Sequence, residues 1–247
     1  MTKAHPHLTG AAVSCSLRDI SSIMRLMRQT LNGLWRSLGL AALLVLAREL
    51  KGQTAQQAQV PAGRKSVVVL GDSLAAGFGV EPSQSFPALL QKKIDGRGWN
   101  YTVVNAGVSG DTSADGLARI DWLLKREIDV LILELGGNDG LRGIPVAATK
   151  TNLQAIIDRV KRKYPQAQII VAGMQMPPNM GEEYTTAFRK IFPGLAATNR
   201  AVLIPFLLEG VGGNRKLNQE DQIHPTAEGH KIVAENVWKV LKPALEK

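Results

Sequence analysis

Between Ser66 and Pro205 the chain carries five short, almost continuously apolar runs: Ser66–Leu70, Tyr101–Ala106, Asp129–Leu135, Ala167–Met174 and Ala201–Pro205. They do not alternate apolar with polar, so each reads as a strand covered on both faces. The stretches between them repeat at a different period. Leu153, Ile156, Ile157 and Val160 fall at i, i+3, i+4 and i+7, and Tyr184, Phe188, Ile191 and Leu195 at i, i+4, i+7 and i+11, which are helical stripes. A last helix from about Ala227 sets Ile232, Val233, Val237, Val240 and Leu241 on one side. Strands alternating with amphipathic helices predict a parallel five-stranded sheet with helices on both faces, an α/β fold arranged as a three-layer α/β/α sandwich of flavodoxin type. Such sheets place their chemistry outside the carboxyl ends of the strands.

The first 60 residues are built differently. From Met24 they run through Arg25, Arg28 and Arg36 to an apolar stretch, Leu38 to Ala47, and then to small polar residues. That is the order of a secretory signal peptide, with translation expected to start at Met24 or Met27. The apolar stretch is well short of the ~20 residues a spanning helix needs. Arg48 and Glu49 follow it at once and no A-x-A cleavage site stands near Ala55 or Ala58, which leaves open an uncleaved tether, or an amphipathic or disordered leader of a cytoplasmic protein. The expected organisation is a leader over 1–60 and one domain over 61–247, located in the periplasm or outside the cell.

Composition narrows the options. With 247 residues, 45% of them hydrophobic and 21% charged, the chain supplies one full-sized core. Its net charge is +9, but the first 55 residues hold seven Lys/Arg against two Asp/Glu, so the domain itself is only mildly basic. Basic residues are scattered and not set among aromatics in a stripe, and a nucleic-acid partner is not expected. A lone Cys15 excludes a disulfide framework and a cysteine metal cluster, and no His/carboxylate group has metal-ligand spacing.

Four segments at element ends carry candidate chemistry. After the first strand, Gly71 turns the backbone and sets Ser73 at the rim, where a hydroxyl suits a nucleophile, an anion-binding loop or a plain helix cap. After the second, Gly107 in Asn105–Leu117 is either a bare N–H facing a substrate oxygen or a simple turn glycine, and Thr112 with Asp115 has capping-box spacing. After the third, Asn138 offers an uncharged amide donor of the kind a developing oxyanion needs, in a turn where Asn and Asp are also commonplace. Ahead of the last helix, Asp221 stands three residues before His224, close enough to accept its Nδ1–H and leave Nε2 free to take a proton; a capped loop with a surface His reads equally well. Thr226 suits the cap of that helix.

Gly-Asp-Ser-Leu at 71–74, Asn-Ala-Gly-Val-Ser-Gly at 105–110, Gly-Gly-Asn-Asp at 136–139 and Asp221-x-x-His224-Pro225 together resemble the SGNH, or GDSL, hydrolase superfamily. All four blocks stand in family order, and the resemblance spans Ser66 to about Leu245. It is nearest to the bacterial periplasmic branch of thioesterases, lysophospholipases and arylesterases. The resemblance implies that Ser73 is the nucleophile, His224 the base and Asp221 its orienting acid, with the Ser73 N–H, the Gly107 N–H and the Asn138 amide as the oxyanion hole. It also implies a small ester or lipid substrate, transient contact with membrane lipid, no cofactor, no metal and no obligate protein partner. Gln222 and Thr226 depart from the Gly and Asn usual in relatives.

For substrate contacts the candidates are Leu141 and Arg142, after the Asn138 block, and Met176 and Pro178 in the Met-rich stretch Met174–Tyr184. Core packing for the methionines and solvated loop positions for Leu141 and Arg142 are the plainer alternatives. Two other functions compete: a carbohydrate acetyl esterase on the same triad, disfavoured by Trp99 and Trp122 lying away from the four blocks, and a non-catalytic flavodoxin-like anion-binding module, which would leave Asp221 and His224 without a role.

Overall fold

A computed structural model describes residues 63–246; the leader expected over 1–60 lies outside them. In chain order the elements are β1 (Lys65–Gly71), α1 (Ser73–Ala76), α2 (Phe86–Asp95), β2 (Tyr101–Gly107), α3 (Ser113–Leu123), β3 (Val130–Glu134), α4 (Gly137–Leu141), α5 (Val146–Lys163), β4 (Gln168–Ala172), α6 (Glu182–Arg189), α7 (Ile191–Asn199), β5 (Val202–Ile204) and α8 (Ala227–Leu245), with 3-10 turns at Pro82–Gln84 and Pro178–Met180. The five strands form one parallel sheet in the order β2-β1-β3-β4-β5. Helices α2 and α8 pack together, as do α3 and α5, to make the two outer layers.

The expected strands are present because their apolar runs have both faces to bury: Val67 to Leu70 and Val130 to Leu133 lie in the core. The stripe from Tyr184 to Leu195 differs from expectation in one respect. It belongs to two helices, α6 and α7, that break at Lys190. Pro193 has no N–H to give the carbonyl of Arg189 and its ring crowds that carbonyl, which favours a break one turn before it. The stripe survives the break, with Phe188, Ile191 and Leu195 all buried.

Strand order places the site. The chain leaves β1 for β2 on one side and then crosses to β3 on the other, so the loops after β1 and β3 diverge and open a crevice. Register puts the ends of three strands level, with Gly71 opposite Gly107 on one side and Glu134 on the other. Among the described residues no helix is long and apolar enough to cross a membrane, and no group of three His, Cys, Asp or Glu is placed to hold a metal ion.

Candidate active site

Ser73 is the first residue of α1, and Asp72 is its N-cap, accepting the Leu74 N–H at 3.0 Å. The cap holds the first turn of the helix against the strand end and leaves the Ser73 N–H without an acceptor among the described residues. His224 comes from the loop before α8. Its Nε2 stands 2.9 Å from Ser73 Oγ and its Nδ1 stands 2.6 Å from Asp221 Oδ2. Asp221 Oδ1 accepts the backbone N–H groups of Ile223 and His224 at 2.9 and 3.0 Å. One carboxylate therefore folds the loop and orients the imidazole. Burial works to raise the Asp221 carboxyl, but the His224 N–H, the imidazole and the Ile223 N–H outweigh it and hold it at about 2.

That loop is tied to the serine side. Gln219 donates its side-chain amide to the Phe78 carbonyl at 2.7 Å, and its backbone N–H to the His224 carbonyl at 2.8 Å. The Phe78 ring packs against the imidazole with centroids 4.6 Å apart and planes tilted by 41°. Gln222 adopts φ of 59°, a left-handed conformation that explains why a residue without Cβ is the easier choice there.

Gly107 does not have the free N–H expected of it. Its N–H donates to Asn105 Oδ1 at 2.9 Å, while Asn105 Nδ2 donates to the Ala75 carbonyl at 2.7 Å. A Cβ on Gly107 would collide with the backbone of Ala75 and Ala76, so this glycine lets α1 settle against β2. The Gly110 N–H, like that of Ser109 beside it, has no acceptor among the described residues. Gly110 holds φ of 88°, and its carbonyl accepts Arg142 Nη2 at 2.9 Å. Repeated glycines in Asn105–Gly110 could not say which N–H faces the crevice.

Asn138 lies in the first turn of α4 with Nδ2 directed at the Asp111 carbonyl (3.0 Å) and Asp72 Oδ2 (3.2 Å). These two acceptors set the plane of the amide and bring it between the segment carrying Gly110 and the turn carrying Ser73. Its neighbour Asp139 points the other way and is buried. It accepts the Ser113 N–H at 2.7 Å and the Thr149 hydroxyl at 3.2 Å, pinning α4 to α3 and α5.

Of the expected substrate contacts, Leu141 is exposed at the end of α4 and Arg142 reaches across to the Gly110 loop. Met176 is half-buried and packs beneath Gly140, where a Cβ would collide with its sulfur. Pro178 is exposed at the start of its 3-10 turn, and Met174 is core. Two groups had no signal in the sequence: Glu134, buried beneath the serine turn, and Arg119, which pairs with Asp111 at 2.6 Å and donates to the Gly71 carbonyl at 3.0 Å.

A parallel sheet in this order, with a serine, histidine and aspartate in hydrogen-bonded sequence at its switch point, defines a class. The chain belongs to the GDSL-like lipase/acylhydrolase family, whose model matches residues 69–232. It is an ester hydrolase of that family with the α/β/α fold of SGNH hydrolases. Esterase TesA of Pseudomonas aeruginosa is 41% identical over 208 residues, 84% of this chain and 96% of that protein. Thioesterase 1/protease 1/lysophospholipase L1 of Escherichia coli K12 is 39% identical over 183 residues, 74% of this chain and 86% of that protein. A crystal structure of TesA superposes with a TM-score of 0.70 at 43% identity, covering 73% of this chain and all of the other.

Proposed function

We propose that this chain hydrolyses esters and thioesters of fatty acids, aryl esters and lysophospholipids among them, through an acyl-enzyme on Ser73. The observation that carries the reading is the continuous line from Asp221 Oδ2 through the imidazole to Ser73 Oγ, with contacts of 2.6 and 2.9 Å. An aliphatic hydroxyl attacks only as a base removes its proton, and His224 Nε2 stands at hydrogen-bond distance for that step. Asp221 keeps the hydrogen on Nδ1 and stabilises the imidazolium that forms. The imidazolium then protonates the leaving alcohol or thiol, and water repeats the sequence on the acyl-enzyme.

The tetrahedral oxygen would be met by the Ser73 N–H, the Gly110 N–H and the Asn138 amide, one of whose two Nδ2 hydrogens, both taken here by the Asp111 carbonyl and Asp72 Oδ2, would turn to it. Gly110 replaces Gly107 in this role because its N–H is free and the Asp111 carbonyl next to it holds Asn138. Exposed apolar side chains on the site's own segments favour acyl chains. Phe78, exposed by 49%, lies against the His224 ring, and Val108, Leu141 and Ile223, exposed by 40, 41 and 43%, each stand within a few residues of a proposed catalytic group. Such side chains suit an acyl chain and transient contact with lipid. Carbohydrate esters are less suited. Trp99 is stacked on Trp238 beside β2's first residues, and Trp122 ends α3, so neither lies at the carboxyl edge where Ser73 stands. Signal-like order in residues 24–58 supports export to the periplasm or beyond.

A p-nitrophenyl ester chain-length series, run beside lysophosphatidylcholine and an acyl-CoA, tests the reading. Hydrolysis that rises with chain length and stops on treatment with a serine-directed phosphonate is expected. Turnover that survives in Ser73→Ala, or acetylated sugars outpacing all acyl esters, would overturn it.

A further inference from the structure

Glu134 ends β3 directly beneath the serine turn and is only 1% exposed. Its Oε2 accepts the Asp72 N–H at 3.2 Å, and the Ala75 N–H is also directed at the carboxyl. Gly71 makes the approach possible, because a Cβ there would collide with Oε2. Asp72, 2% exposed, passes the order onward: Oδ1 caps α1 through Leu74, and Oδ2 holds the Asn138 amide. No cation among the described residues pairs with either carboxyl.

We propose that Glu134 is a positioning residue for the hydrolysis, holding as a hydrogen-bond acceptor the peptide that carries Asp72 and Ser73, and through Asp72 the amide of Asn138. The inference rests on the assignment of Ser73 as nucleophile. Ser73 Oγ and the Ser73 N–H both hang from the turn that Glu134 pins, so a rotation of the 71–72 peptide would misalign attack and oxyanion contact together. The donor side of the arrangement is entirely backbone and amide N–H. Two carboxylates sharing it would put a second buried negative charge behind a forming oxyanion. Burial and the neighbouring Asp72 push Glu134 well up, and burial also raises Asp72, to about 6, against the opposing pull of the Leu74 N–H, His224 and Asn138. The other charged group facing the pair is Asp111, from the β2–α3 loop, which raises Asp72 further and is itself paired with Arg119 of α3.

The test compares Glu134→Gln and Glu134→Leu with wild type for p-nitrophenyl ester turnover and for the rate at which a phosphonate labels Ser73. Gln keeps a neutral oxygen acceptor, so its kcat and labelling rate should stay within about threefold of wild type, with an unchanged profile from pH 6 to 9. Leu removes the acceptor, so kcat per titratable site and the labelling rate should fall together by ~10- to 100-fold with KM little changed. A Leu variant with wild-type kcat per site, or one altered only in KM or melting temperature, would overturn the proposal. So would a Gln variant impaired more than tenfold, a result that stands even if the Leu variant does not fold. A wild-type enzyme that the phosphonate fails to label at Ser73 would instead remove the nucleophile assignment beneath it.

Discussion

Replacing Asp221 by Asn isolates the part that the carboxylate plays in proton transfer. The wild-type oxygens accept three hydrogens: the Ile223 and His224 N–H on Oδ1 and the imidazole on Oδ2. An asparagine has one oxygen for these two positions. If the oxygen stays with the backbone donors, its NH2 faces Nδ1, the imidazole hydrogen moves to Nε2, and Ser73 has no base. If the amide flips to restore the tautomer, two N–H groups on an exposed loop exchange their acceptor for water, at ~0.5–1.5 kcal/mol each. Reaching the productive tautomer therefore costs ~1–3 kcal/mol, or ~5-fold to ~150-fold in kcat at ~1.4 kcal/mol per decade. The assay is steady-state hydrolysis of a soluble p-nitrophenyl ester from pH 5 to 9, with urea unfolding as the control for structure. Stability should change little, since the residue sits on an exposed loop. A variant that folds normally and keeps kcat within fivefold of wild type would refute the tautomer argument.

Other outcomes follow from the same geometry. Asn138→Ala should lower kcat by ~10²- to 10³-fold with KM within about threefold, whereas a raised KM at unchanged kcat would place Asn138 in ground-state binding. Gly107→Ala should destabilise by more than ~2 kcal/mol because its Cβ meets the backbone of α1, while Gly110→Ala, with open space but φ of 88°, should cost ~1–2 kcal/mol; urea midpoints would rank them. Asp72 titrates higher folded than unfolded, so its contribution to stability is full at low pH and is lost as pH rises from about 4 through about 6. His230, buried in α8 with Nδ1 accepting the Phe86 N–H, is lowered to about 4 by burial and then by the charge of His224; it contributes above about 6.5 and loses that as pH falls through about 4. The two slopes oppose, so the Asp72→Asn variant should gain relative to wild type as pH rises through 4 to 6; a constant difference would contradict the buried-anion account of Asp72. Gln222→Gly should leave kcat within about twofold and shift stability by less than ~1 kcal/mol, relief of the left-handed φ being offset by a freer unfolded chain.

The layered architecture is legible in the apolar runs alone, since burial on two faces leaves its mark residue by residue along a strand. Helix starts are legible for the same local reason: Thr112 with Asp115 forms the expected capping box, and Thr226 caps α8. Asp221 and His224 are close in the chain, so their pairing could be read from spacing, and the family's short blocks marked where Ser73 and Asn138 stand. Local pattern could not separate Gly107 from Gly110, because two glycines three residues apart look alike until α1 packs against one and Asn105 takes its N–H. Nor could it show Pro193 splitting one apolar stripe between two helices without moving the stripe. Glu134 reads as one polar residue at the close of a strand, and only the register of β1 with β3 sets its carboxyl under the serine turn. Hydrophobic period, caps and short spacings are properties of neighbours along the chain. Which donor faces a crevice, and which acid lies buried beside it, depends on contacts between residues some sixty positions apart, and those exist only once the strands are paired.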